Sequence, residues 1–95
     1  MFAIAGTWTM DTEMRERQSE VLPRIVAGVR QNDGFVRGFW TEDVDDPAVS
    51  MTFIVFETLD QARAFRAAVM ANAPAQAESG VERAGLRIVS VTADA

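Results

Sequence analysis

The stretch Val49-Ser50-Met51-Thr52-Phe53-Ile54-Val55-Phe56-Glu57 has the β-branched and aromatic density of a strand, yet it does not alternate. Successive side chains of a strand leave on opposite faces, so Met51, Phe53 and Val55 point one way while Ile54 and Phe56 point the other. A strand with one wet face would keep that face polar. The same double-sidedness recurs where Phe2 and Ile4 oppose Ala3 and Ala5, and where Phe35 and Phe39 oppose Val36 and Trp40. A sheet built from these strands has to be covered on both sides, because a bare face would expose a larger apolar patch than monomers carry. Helices can cover one side. A second copy is the expected cover for the other, since each buried side chain contributes roughly 1.5 to 3 kcal/mol before association costs. The expectation is a symmetric homodimer with Phe2, Ile4, Met51, Phe53 and Val55 in its face; the alternative is a monomer with an exposed apolar sheet.

The rest of the chain supplies the covering helices. Phe2 to Thr9 reads as a first strand, closed by Asp11 and Thr12, which can cap a helix. From Glu13 to Asn32 the residues Met14, Leu22, Ile25, Val26 and Val29 recur at helical spacing, with Arg15, Glu16, Arg17 and Glu20 on the other face. Pro23 removes a backbone donor inside this helix and predicts a kink or break near Leu22. Asp33-Gly34 ends it. Phe35 to Thr41 and Val49 to Glu57 form an antiparallel hairpin across the acidic connection Glu42 to Ala48. Thr58 and Gln61 have capping-box spacing ahead of a second helix, Leu59 to about Ala71. An alanine-rich stretch to Arg83 has room for a short turn before a last strand, Leu86 to Thr92. This order, βαββαβ, is the split βαβ arrangement of a ferredoxin-like α+β sandwich: a four-stranded antiparallel sheet with both helices on one face. Residues 1–95 read as one such domain.

A chain of 95 residues buries only roughly 60 to 65% of its unfolded surface, so its own stability margin is thin and a partner would add to it. There is no cysteine, hence no disulfide or thiolate metal site, which accords with a reducing cytoplasm. The apolar start, Met1 to Ala5, lacks a basic leader and meets Gly6 too early for a signal peptide; it reads as strand. No apolar run approaches the ~18 residues that cross a bilayer. With 14 acidic against 9 basic residues, and arginines spread along the chain, nucleic acid is not an expected partner. Histidine, tyrosine and cysteine are all missing, which removes the commonest general base, the phenolic acid/base and the nucleophilic thiol together. Serine–histidine chemistry is excluded, and no glycine-lysine phosphate loop is present.

Two segments, Asp33-Gly34-Phe35-Val36-Arg37-Gly38-Phe39 and Phe56-Glu57-Thr58-Leu59-Asp60-Gln61-Ala62, resemble the glycine-and-aromatic strand opening and the strand-to-helix junction of the dimeric α+β barrel superfamily, in particular its antibiotic-biosynthesis-monooxygenase-like proteins. The resemblance implies two subunits whose sheets pack face to face, each with a ligand pocket between sheet and helices. Heme-degrading members use an asparagine in the first strand, a tryptophan at the third-strand junction and a histidine on the second helix. The matching positions here hold Thr7, Phe56 and a residue near Arg66, which speaks against heme degradation. Members that oxidise aromatic polyketides use asparagine, tryptophan and often tyrosine in the pocket. This chain has no tyrosine.

Ala3, Ala5 and Thr7 share one face of the first strand, where small side chains leave space for a small apolar ligand between sheet and helices, unless residues such as Ile25 and Phe65 fill it. The candidate pocket residues are Thr7, Thr52, Phe56, Arg66 and Trp40, with Trp8 as a further aromatic wall or plain core residue. Arg37 offers a cation to a ligand's acidic group, though pairing with a partner subunit's carboxylate or plain solvation is the favoured reading. Glu42, Asp43, Asp45 and Asp46 lack the glycine and distal glutamate of a calcium loop and read as a solvated hairpin tip, so no metal site is assigned. No catalytic residue stands out, and no cofactor is implied. The expected function is a cytoplasmic homodimer that binds a small apolar or aromatic molecule. The alternatives are a cofactor-independent monooxygenase of the antibiotic-biosynthesis type and a non-catalytic interaction module with a filled core.

Overall fold

The computed structural model describes residues 1–95. Four strands, β1 (Phe2–Met10), β2 (Phe35–Glu42), β3 (Val49–Phe56) and β4 (Val81–Ser90), form one antiparallel sheet in the order β2-β3-β1-β4. Three helices, α1 (Arg15–Arg30), α2 (Leu59–Ala71) and α3 (Ala73–Glu78), join them, and a single 3-10 turn at Thr12–Met14 leads into α1. The architecture is the ferredoxin-like α+β sandwich that the order of periodicities called for.

Local chemistry accounts for most boundaries. Asp11 accepts from the Glu13 amide and starts the 3-10 turn; Thr58 and Gln61 close a complete capping box on α2. Gly34 ends the α1 connection at φ 77°, a conformation that disfavours any side chain, and the Gln61 side chain fills the space beside it.

The core lies between the sheet and α2. Ile4, Ile54 and Phe56 pack with Val29 of α1 and Ala62 of α2, with Phe35, Phe65, Leu86 and Ile88 around them. Ile4 faces Ile54 on one side and Ile88 on the other, so one row of branched side chains runs across three strands. Phe56 is fully buried and meets Phe65 at 5.2 Å and Phe35 edge-on at 6.4 Å between ring centres.

Three expectations need correction. Phe2 and Ile4 do not belong to the free sheet face: both pack into the core against the helices, and it is Ala3, Ala5 and Thr7 that point away with Met51, Phe53 and Val55. The alternating pattern defines two faces but not which one the helices take. Second, α1 runs unbroken through Pro23, which lies on its exposed side, so only the Ser19 carbonyl loses an amide partner. Third, β4 starts at Val81, not Leu86, and the turn before it is the helix α3. Glu82 and Arg83 carry no strand signal of their own; they are held extended by pairing with Thr9 and Trp8, with a bulge between Thr7 and Trp8.

A second irregularity, between Phe35 and Arg37 of β2, inserts Val36 as an extra residue. Phe35 thereby joins Trp40 on the core side although the two are five positions apart, and Phe39 turns to the other face. That face carries Phe39, Met51, Phe53 and Val89, all exposed, with Arg37 and Arg87 beside them. No helix is long and apolar enough to cross a membrane.

Candidate functional site

On the core side of the sheet, two tripeptides of the same form shape a floor: Gly6-Thr7-Trp8 in β1 and Gly38-Phe39-Trp40 in β2. In each, the indole lies back over the glycine two residues earlier. A β-carbon on Gly6 would stand 2.7 Å from Trp8 Nε1, and one on Gly38 would stand 3.0 Å from the Trp40 ring. Only the bare glycine leaves room for either ring. Trp8 Nε1 donates to Thr52 Oγ1 at 3.0 Å, and Thr52 is the direct cross-strand partner of both Gly6 and Trp40. Thr52 therefore sits between the two indoles.

Above this floor the helices do not close. A cavity of about 850 Å³ opens between the sheet, α1 and α2, with Trp8, Trp40, Thr52 and Ile54 below and Ile25 and Phe65 at its sides. Its size falls in the range of small-molecule sites, roughly 300 to 1,000 Å³. Ile25 remains 47% exposed and Leu22 39%, so the α1 side chains that would fill the space do not reach across it. Around the mouth, Arg15 pairs with Glu42 at 2.7 Å and links α1 to the end of β2. Gln18 donates to the Asp11 and Ser79 carbonyls, which ties α1 to the end of α3.

The structure divides the residues singled out from the sequence. Thr52 and Trp40 line the cavity. Thr7 does not: it lies on the opposite sheet face, paired with Met51 and Gly85, for the same reason that Ala3 and Ala5 do. Phe56 is sealed in the core and Arg66 sits half-buried on α2 away from the cavity lining. The cavity lies on the other face of β1, where the room left by Gly6 is taken by the Trp8 indole that forms part of its floor. Sequence reasoning missed Gly6 and Gly38; the repeated glycine-x-tryptophan spacing was the available signal. Arg37 is exposed. At the hairpin tip, Asp43 accepts from the Asp45 and Asp46 amides and Asp46 from Ala48, so these carboxylates build the turn, and no cluster of metal-ligating side chains forms.

No family model matches the sequence, and no curated protein sequence does. Solved structures do match in fold. A protein of Deinococcus radiodurans assigned to the antibiotic biosynthesis monooxygenases is 22% identical, with TM-score 0.74 over 100% of this chain and 94% of that one. SnoaB, a cofactor-independent oxygenase from Streptomyces nogalater, is 18% identical with TM-score 0.77 over 98% of this chain and 94% of its own. A Nitrosomonas europaea protein with the same assignment as the first is 16% identical, with TM-score 0.75, over 98% and 100% of the two chains. The chain shares the fold of these antibiotic-biosynthesis-monooxygenase-like structures.

Proposed function

We propose that this protein is a cytoplasmic homodimer, one domain per subunit, that binds a small, mostly apolar or aromatic molecule between sheet and helices. The observation that carries the reading is the unfilled cavity above Trp8, Thr52 and Trp40. A module serving only as an interaction surface would fill that space to interior density. The second subunit is supported by the exposed apolar sheet face of Phe39, Met51, Phe53 and Val89. Native mass spectrometry of the purified protein tests both parts. The expected result is a species of twice the 10.4 kDa chain mass carrying a small molecule that is lost on denaturation. A bare single subunit is the result that would refute it.

The second reading is a cofactor-independent monooxygenase, favoured by the likeness in fold to SnoaB. Such chemistry draws its electrons from the substrate: an activated methylene reacts with O2, one oxygen atom stays as the carbonyl and the other leaves as water. The protein's share would be shape and exclusion of water, consistent with a chain that has no histidine, tyrosine or cysteine. Oxygen uptake with electron-rich phenols, with label from 18O2 recovered in the product, is the expected sign. Absence of uptake with ligand still bound leaves the binding reading alone.

A further inference from the structure

The floor of the cavity is biased toward hydrogen-bond donors. Thr52 Oγ1 already accepts from Trp8 Nε1 and donates to no protein group, so its own O–H is directed elsewhere. The other half-buried amide and hydroxyl side chains around the cavity are committed: Ser50 donates to the Thr41 carbonyl at 2.6 Å, Gln18 to Asp11 and Ser79, and Gln76 to Val69. Trp40 is the exception. Its indole N–H makes no hydrogen bond within the protein, and since no fully buried side-chain nitrogen or oxygen lacks a partner, that N–H opens onto accessible space. Thr52 and Trp40 face each other as a cross-strand pair, which sets their β-carbons about 5 Å apart. Thr52 thus offers a free donor from the cavity floor, and the Trp40 residue paired with it across the strands carries a second donor that no protein group occupies.

We propose that Thr52, assisted by Trp40, is the specificity-determining anchor of the cavity, and that the ligand carries an acceptor oxygen, a carbonyl or ether, on its apolar body. The inference rests on the small-molecule-binding reading above. Trp8 acts as a positioning residue: by occupying one lone pair of the Thr52 oxygen, it leaves that hydroxyl to act as donor. Gly6 makes the arrangement possible, because any β-carbon there would collide with both partners of the bond.

The test compares 1-tetralone with tetralin, which differ by one carbonyl, using nitrogen-15 NMR titration of the whole protein. The chain has two tryptophans, so two indole N–H signals report the floor directly. Wild type is expected to bind the ketone roughly three- to tenfold more tightly than the hydrocarbon, the range of one ordinary hydrogen bond. Thr52→Val is expected to abolish that preference and to move the Trp8 indole signal, Thr52→Ser to retain it. Trp40→Phe leaves the Trp8–Thr52 bond intact and lowers the preference in part, which keeps the proposal testable if Thr52→Val does not fold. A preference that survives in Thr52→Val, or that is undiminished in Trp40→Phe, overturns the anchor while leaving the cavity as a binding site. If neither compound perturbs wild type, the binding reading fails and the anchor falls with it.

Discussion

Gly6→Ala is the substitution whose cost the structure fixes most narrowly. The added methyl would lie 2.7 Å from Thr52 Oγ1 and 2.7 Å from Trp8 Nε1, and 3.2 Å from the adjoining ring carbon. The indole cannot yield slightly, since it is buried at 9% exposure and hydrogen-bonded at its near edge. It must swing away. Breaking the bond costs about 0.5–1.5 kcal/mol and forcing the ring out of its packing roughly 1–3 kcal/mol. Reduced freedom of the unfolded chain returns roughly 0.4–1 kcal/mol. The net expectation is a loss of about 2 kcal/mol, which for a chain of this size lowers the melting temperature by roughly 8–16 °C. Thermal denaturation followed by circular dichroism at fixed protein concentration measures it, with tryptophan fluorescence reporting the displaced indole. Gly28→Ala is the control, because nothing lies within 4 Å of a β-carbon there. It should stabilise α1 by about 1 kcal/mol through helix propensity. If Gly6→Ala melts no lower than wild type with unchanged fluorescence, the described floor is wrong.

Other substitutions probe separate parts of the argument. Phe53→Glu places a charge in the middle of the exposed apolar sheet face and, at roughly 1.5 to 3 kcal/mol per buried phenylalanine and two per dimer, should weaken association at least about a hundredfold. Sedimentation showing the same mass for both proteins would count against that face as an interface. Phe56→Ala empties the centre of the core and should cost about 3–5 kcal/mol in urea unfolding, enough to unfold a small domain. Thr58→Ala removes the capping box of α2 and should cost about 1 kcal/mol, whereas Thr58→Ser should restore most of it.

How much of this was legible beforehand depends on whether a feature is local. The capping box at Thr58 and Gln61, the stop at Gly34, and the periods of the two long helices are set by neighbours a few residues apart, and these could be read directly. Pro23 predicts a kink or break when its effect is taken alone; placed on the exposed side of α1, it leaves the helix continuous from Arg15 to Arg30 at the loss of one backbone hydrogen bond. The site was harder. Thr52 and Trp40 were recognised as polar and aromatic groups on strands, but Thr7 was assigned to the wrong face and Gly6 was overlooked.

The order of the elements, the two-sided apolar character of the sheet and the poverty in acid/base side chains are properties of the sequence alone. Each follows from residue type and short-range spacing. Which face the helices cover, the extra residue at Val36 that turns Phe35 inward, the extension of β4 back to Val81 and the contact of Trp8 with Thr52 were decided by tertiary structure. Strand pairing joins residues far apart in the chain, such as Trp8 and Thr52 at 44 positions, and one inserted residue reverses the direction of every side chain beyond it. Periodicity supplies two faces; only closure of the sheet against α2 tells them apart.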